Sequence, residues 1–274
     1  MAYRGLRFSH LHAFRDVGAA AVGYEPSDSG AEPDFPADNL IDDRNGTLFQ
    51  LDTVNGQPGV WVDLGANFVT GIDRLIIPAN HDWEKLTVIE SDGQNLDPVT
   101  RFLVDIAGIT VTAGTLIDIE FDLASTERYL LLTSVGGTAH ICSQLIYTKI
   151  VTLSVDPKLA GATDEKHANF TQLDQSTGRS PRVQHGPDQR VFRFEWDTPI
   201  PSADVVKMEA LIADVGMQHP FYIDPPSYST PPETDEPVLC VKFVRMPRSL
   251  VSVAVPKSGT LQKTYSWDLI ECID

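Results

Sequence analysis

Two neighbouring segments, residues 59–65 and 68–78, constrain the fold of this chain more than any other part of its sequence. In the first, Val60, Val62 and Leu64 alternate with residues of other kinds, which is the pattern of a half-buried β-strand. The second is apolar nearly throughout and ends at a proline, which is typical of a strand covered on both faces. The two segments therefore predict two β-strands joined by a short turn at residues 65–67.

Further strand-like segments follow at short intervals, with turn residues between them and no strong helical pattern. They lie at residues 86–90, 101–106, 115–121, 128–133 and 144–147. This succession predicts an antiparallel β-sandwich over residues 1–155, with a core that includes Val60, Val62, Leu64 and Ile76.

The second half of the chain follows a polar stretch, residues 156–187, which we interpret as a connector or arm. Residues 188–274 then predict a smaller β-rich domain with one α-helix at about 203–215. Ser202 is expected to cap this helix and Gly216 to end it. Its apolar stripe comprises Val205, Met208, Leu211, Ile212 and Val215.

Large aromatic residues are frequent in the predicted strands of this smaller domain. They are Phe192, Phe194, Trp196, Tyr265 and Trp267. A small domain buries a modest fraction of its surface alone, and aromatic residues are enriched at interfaces. We therefore expect these residues to contact a neighbouring subunit.

The composition argues against two classes of partner. A net charge of −17 disfavours binding to nucleic acid or to an anionic membrane surface. No apolar run is long enough for a membrane-spanning helix, so membrane insertion is not expected. Cys142, Cys240 and Cys272 have neither metal-site spacing nor the pattern of a disulfide framework, which favours small buried residues in a reducing cytoplasm.

The motif Trp61-Val62-Asp63-Leu64-Gly65, preceded by an Asn39-x-x-Asp42 loop, resembles the front half of a galactose-binding-like jelly roll of the discoidin or coagulation-factor type C family. The strand that begins at Arg128-Tyr129 resembles its back half. The resemblance implies a mostly β fold with a jelly-roll sandwich at the N-terminal side.

Two loops carry the candidate binding residues. Oxygen ligands in Asp42, Asp43, Asn45 and Thr47 would suit a structural calcium ion, which many members of the jelly-roll family hold near this loop. The alternative is that these residues only fill turn positions. Asn80, His81 and Trp83 follow a predicted strand, and Trp83 could stack on a sugar ring. The alternative is an aromatic residue that closes the end of the sandwich.

The sequence contains no nucleophile elbow, phosphate-binding glycine loop or zinc-protease motif. We therefore expect no enzymatic activity and no organic cofactor.

Both halves of the chain resemble minor tail or tail-tip proteins of bacteriophages. Most of this resemblance is carried by residues 60–78 and 128–149, which lie in the predicted β-sandwich. The resemblance implies a structural subunit of an oligomeric ring or tip complex, with other tail proteins as partners and contacts to host surface glycans. Such a protein is made in the host bacterial cytoplasm and ends in the virion tail. The alternative is a carbohydrate-binding module or receptor-binding protein without a scaffold role.

Overall fold

The computed structural model describes residues 6–10, 22–24, 47–50, 59–63, 71–91, 99–104, 108–135, 141–155, 157, 165–167, 170–172, 182–184, 189–196, 200–224, 238–252 and 262–272. The chain divides into two compact units. The inserted unit comprises Leu11–Ile150, and the terminal unit comprises Met1–His10 with Val151–Asp274.

The inserted unit is built from antiparallel strands. They are β2 (Val22–Tyr24), β3 (Phe49–Gln50), β4 (Gly59–Asp63), β5 (Arg74–Ile77), β6 (Lys85–Ser91), β7 (Val99–Phe102), β8 (Ile109–Thr110), β9 (Ile117–Glu120), β10 (Tyr129–Val135), β11 (Ile141–Cys142) and β12 (Ile146–Thr148). One sheet has the order β2-β4-β10-β6-β7 with β8 beside β6, a second has the order β12-β5-β9, and β3 pairs with β11. The predicted antiparallel, mostly β fold class is confirmed.

The core of the inserted unit lies between these sheets. Leu75 and Ile77 of β5 pack in one cluster with Val88 of β6 and Leu130 of β10. All four residues of β5 are buried, as the continuous apolar run predicts, and Ile76 is a core residue. The core positions predicted for Val60, Val62 and Leu64 lie outside the described side chains.

The terminal unit combines a large sheet with one described helix. Its elements are β1 (Arg7–Ser9), β13 (Ile150–Thr152), β14 (Glu165–His167), β15 (Phe170–Gln172), β16 (Arg182–Gln184), β17 (Gln189–Glu195), α1 (Ser202–Val215), β18 (Phe221–Asp224), β19 (Leu239–Phe243), β20 (Arg248–Ser252) and β21 (Gln262–Glu271). The sheet order is β13-β1-β18-β19-β21-β17-β14, with β20 also paired to β21, and β15 pairs with β16.

The inserted unit interrupts two adjacent strands of this sheet. The chain leaves the sheet after β1 and returns to it in β13, which lies beside β1. The backbone N–H of Leu153 donates to the carbonyl of Leu6 at 3.0 Å. The boundary predicted at residue 155 differs from this division, because β1 and β13 complete the terminal sheet. The predicted connector differs too, since β14 pairs with β17 inside that sheet.

Helix α1 covers one face of the terminal sheet, and its buried residues include Met208, Leu211 and Val215, as the apolar stripe predicts. Gly216 ends the helix with φ +53°, a conformation that favours glycine. The predicted cap is wrong, because Pro201 holds the N-cap position and Ser202 is already helical.

The aromatic residues of the terminal unit lie in its core, which corrects the expectation that they contact a neighbouring subunit. Exposure is 6% for Phe192, 0% for Phe194, 2% for Trp196, 4% for Tyr265 and 0% for Trp267. Their strands, β17 and β21, are internal to the sheet, and α1 packs on the face that carries the rings. The unit therefore uses these rings for its own stability.

Candidate functional site

The loop after β5 carries the residues predicted to contact a glycan, and Trp83 is its most buried member. Trp83 has no exposed surface and packs in the core of the inserted unit with Leu86 and Leu145. A ring without an exposed face cannot stack on a sugar, so Trp83 acts here as a core residue. Any glycan contact at this loop would fall to other side chains.

His81 is fixed in one neutral tautomer by two hydrogen bonds. Its Nε2 lies 2.6 Å from the carbonyl of Thr115, and its Nδ1 accepts from the backbone N–H of Trp83 at 3.1 Å. The second contact requires an unprotonated Nδ1, so the proton is on Nε2. Burial lowers the pKa of His81 below 6.5, against smaller opposing effects of Thr115 and Asp82. His81 therefore joins two loops as a neutral group.

Asp82 and the adjacent backbone bind a third loop. Asp82 Oδ1 accepts from the N–H of Ile141 at 2.8 Å, and the carbonyl of Asn80 accepts from Ser143 at 3.0 Å. The carbonyl of His81 accepts from Gly114 at 2.9 Å. Residues 79–84, 112–115 and 141–143 thus form one hydrogen-bonded loop cluster.

The exposed residues of this loop cluster are small or polar. They are Ala79, Asn80, Glu84, Thr112, Ala113, Gly114 and Thr115. Of the three residues predicted to bind a glycan, Asn80 alone is exposed, because His81 is 5% exposed and Trp83 is fully buried. The structure therefore brings the three residues together but presents only one to solvent.

The predicted calcium loop falls largely outside the described residues. Asp42, Asp43 and Asn45 are not among them, and Thr47 is half-buried just before β3. Within the part of the chain that the structure describes, no group of three or more His, Cys, Asp or Glu side chains is placed to hold a metal ion. Calcium binding by this loop stays a prediction.

A buried carboxylate that the sequence patterns did not reveal lies in β6. Glu90 is 1% exposed, and its Oε2 accepts from Ser125 Oγ at 2.9 Å and from the N–H of Thr126 at 3.0 Å. Its Oε1 lies 2.6 Å from Arg101 Nη2, which also donates to the carbonyl of Ala124. Glu90 holds the segment 124–127 in place. The sequence does carry one indication of this burial. Glu90 occupies every second position of β6 together with Leu86 and Val88, which are buried, so all three face inward.

A second ion pair, between a buried arginine and an exposed aspartate, links β5 to β9. Arg74 is 1% exposed and donates to both carboxylate oxygens of Asp118, from Nε at 2.7 Å and from Nη2 at 2.6 Å. Such a bidentate pair fixes orientation as well as charge. These groups join neighbouring strands, and their polar atoms are directed at each other.

No protein-family model matches the chain, and no curated protein matches it. No described helix is both long and apolar enough to cross a bilayer.

Several solved structures match part of the chain. A chitosan-binding module of a chitosanase/glucanase from Paenibacillus sp. IK-5 is 18% identical, with a TM-score of 0.32, over 43% of this chain and 89% of that one. The family 32 carbohydrate-binding module of C. perfringens NanJ, in complex with galactose, is 15% identical, with a TM-score of 0.36, over 53% and 99%. A Ruminococcus gnavus GH29 fucosidase in complex with fucose is 20% identical, with a TM-score of 0.35, over 45% and 24%. At these values the similarities assign neither a ligand nor a role to the chain.

Proposed function

We propose that this chain is a non-catalytic structural protein of a bacteriophage tail, in which the terminal unit assembles and the inserted unit is displayed. The observation that supports this most is the insertion of one β-sandwich between adjacent strands of another β unit. The tail itself is favoured by the resemblance of residues 60–78 and 128–149 to tail proteins.

The engagement of the buried polar groups supports a structural rather than a catalytic role. His81, Glu90 and Arg74 each hold strands or loops together through short hydrogen bonds. A catalytic base needs an accessible position within reach of substrate, and these groups are buried. The negative charge of −17 also suits a surface past which DNA must slide without binding.

The same proposal includes assembly into a homo-oligomer. The buried aromatic residues do not support this assembly, but two exposed apolar residues do. Val244 and Met246, which follow β19, are each 49% exposed on the terminal unit. Two exposed apolar side chains so close in sequence would be more stable against a second copy of the chain. Val244→Ser combined with Met246→Ser should reduce oligomer formation in light scattering. Leu123→Ser, at a 63% exposed position of the inserted unit, is the matched control.

The tail role is tested on phage particles. Mass spectrometry of particles purified from an infected or induced host should detect this chain at a fixed ratio to other tail proteins. Negative-stain imaging of the pure protein should reveal rings or tip-like assemblies. Expression in the lysate together with absence from the particles would contradict the proposal.

A second candidate is glycan recognition by the loop cluster, alone or within the tail. It is favoured by the hydrogen-bonded framework beneath Asn80, because rigidly held loops at one end of a sandwich suit ligand binding. On a glycan array, the wild-type chain should bind a defined set of sugars, and Asn80→Ala should lose that binding. Gln218→Ala, an exposed amide on the terminal unit, should bind like the wild type. A wild-type chain that binds no glycan would exclude this candidate.

A further inference from the structure

Two cysteines that are distant in sequence lie opposite each other in the terminal sheet. Strands β19 and β21 are antiparallel, with Val241 paired to Glu271 and Lys242 paired to Ile270. The next position along this register places Cys272 against Cys240. The backbone N–H of Cys272 donates to the carbonyl of Cys240 at 2.8 Å, which fixes this pairing directly.

Both side chains project from the same face of the sheet. Directly opposed residues in an antiparallel pair share a face, and alternate residues along a strand change face. Val241 and Phe243 of β19 are buried in the core with Leu269 of β21, so Cys240 and Cys272 lie on the other face. Each is half-exposed and in the reduced form.

The spacing between the two strands suits a disulfide with some strain. Opposed residues that exchange backbone hydrogen bonds have Cα atoms about 5.5 Å apart, within the range of about 4.4 to 6.8 Å found for disulfides. Their Cβ atoms lie toward the wide end of about 4.5 to 5.5 Å, whereas a disulfide prefers about 3.5 to 4.5 Å. Closing the bond must draw the strands together, and a strained disulfide is more easily reduced.

We propose that Cys240 and Cys272 form a reversible disulfide that locks the end of β21 to β19. The oxidant is a small-molecule disulfide such as oxidised glutathione. One cysteine thiolate attacks it and releases the first glutathione thiol, which leaves a mixed disulfide on the protein. The second cysteine thiolate attacks the protein sulfur, forms the S–S bond and releases the second glutathione. Two protein thiols are thereby oxidised, one glutathione disulfide is reduced, and the two thiol protons go to the two glutathiones.

The third cysteine supplies an internal reference. Cys142 is 1% exposed in the inserted unit, and burial raises the pKa of its thiol well above the ordinary value. The thiolate is the reactive form, so Cys142 should resist both oxidation and alkylation while the protein is folded. The proposal does not depend on the tail role, since it rests on the register of β19 and β21 alone.

The test is a redox titration of the full chain. The native protein is equilibrated with reduced and oxidised glutathione in varied ratio, quenched with N-ethylmaleimide and analysed by intact and peptide mass spectrometry. In reducing buffer, Cys240 and Cys272 should both be alkylated. In oxidising buffer, alkylation of both cysteines should be lost together, and their peptides should be recovered as one disulfide-linked Cys240–Cys272 pair within a single chain. Adding reductant should restore alkylation of both.

Variants separate the pair from chance oxidation. Cys240→Ser and Cys272→Ser should each abolish the intramolecular bond and leave the remaining thiol open to alkylation or to a mixed disulfide. Cys142→Ala should titrate like the wild type. The proposal is overturned if both thiols stay alkylatable at every glutathione ratio, or if oxidation yields only mixed or intermolecular disulfides in the wild-type chain.

Discussion

The two units of this chain reach stable β structure by different means. The terminal unit concentrates aromatic rings: Trp267 meets Trp196 with ring centroids 4.9 Å apart and Phe243 at 5.6 Å, both edge-on. In the inserted unit, the buried charged groups Glu90 and Arg74 hold loops and strands together. The terminal unit also buries charged groups, Arg7 and Asp204, in addition to its aromatic cluster. The comparison teaches that similar strand patterns in a sequence can conceal different sources of stability.

The largest effect is expected from Trp267→Ala, which removes the ring at the centre of the aromatic cluster. Trp267 is fully buried, and truncation of a buried aromatic residue costs about 3–5 kcal/mol. Hydrogen exchange measured by mass spectrometry should show reduced amide protection across the terminal unit, while amide protection of the inserted unit stays unchanged. Val206→Ala, at a 65% exposed position, is the control. A cost below about 1 kcal/mol would remove the aromatic cluster from its assigned role.

The next effect concerns the charged network of the inserted unit. Glu90→Ala should destabilise that unit by about 3 kcal/mol, because it leaves Arg101 and the N–H groups of residues 126 and 127 without their acceptor. In the same hydrogen-exchange measurement, residues 124–127 should be the first segment to lose amide protection. Glu84→Ala, an exposed acid of the same unit, should be nearly neutral. Equal effects of the two substitutions would argue against a stabilising network.

Among the described residues of the terminal unit, one carboxylate is buried, that of Asp204. Asp204 Oδ2 accepts from the N–H and Oγ of Ser154 at 2.7 and 2.6 Å. Burial raises the pKa of Asp204, but the hydrogen bonds from Ser154 and Lys207 together lower it by more than burial raises it. The pKa of Asp204 therefore lies below 3.8. A carboxyl group whose pKa is lower in the folded state stabilises the protein at pH values above its pKa in the unfolded chain. That stabilisation is lost as the pH falls through its pKa in the folded state. Asp204→Asn should therefore cost about 2 kcal/mol at pH 7.

That cost should shrink as the pH of the unfolding measurement falls below 3.8 and through the lower pKa of the folded state, because the wild-type carboxyl then also becomes protonated. Asp122→Asn, at an exposed acid, supplies the baseline. A penalty that does not change with pH would mean that packing, rather than charge, accounts for the role of Asp204.

The smallest effect is the pH response of the loop cluster. His81 is neutral when folded and its pKa is lowered by burial, so the unfolded chain binds a proton more readily. The stability contribution is complete above pH 6.5 and declines as pH falls below it toward the folded pKa. Between pH 7 and 5, exchange protection of residues 79–84 should fall more in the wild type than in His81→Gln. Parallel profiles would contradict this assignment.

Local patterns predicted the elements better than their partners. The alternation around Phe192, Phe194 and Trp196 predicts β17, but the expectation that these rings contact a neighbouring subunit was wrong, because they are buried in the core of their own unit. The helix and its glycine end follow from period and chemistry in the same way. The pairing of Phe8 with Ile223 could not be predicted, because it joins strands that no local signal relates.

The candidate site was predicted in position but not in exposure. The segment that contains Asn80, His81 and Trp83 does form a loop at the end of the sandwich, yet an aromatic residue after a strand fits a core position as well as a surface one. Burial depends on what the neighbouring loops cover, and those loops come from residues 112–115 and 141–143. Glu90 was missed for a related reason: its partners Ser125 and Arg101 lie on other elements.

The insertion of one unit between β1 and β13 has a consequence for synthesis on the ribosome. Strand β1 is synthesised before the inserted unit, but its other neighbour, β18 (Phe221–Asp224), is synthesised after it. At about 5–20 residues per second, β1 waits on the order of ten to forty seconds for that partner. The whole inserted unit is made during this interval and can complete its own core first. Leu6 and Phe8, both buried in the finished protein, lack this partner strand throughout the interval, so we expect the nascent chain to carry an apolar strand without its partner until β18 is made.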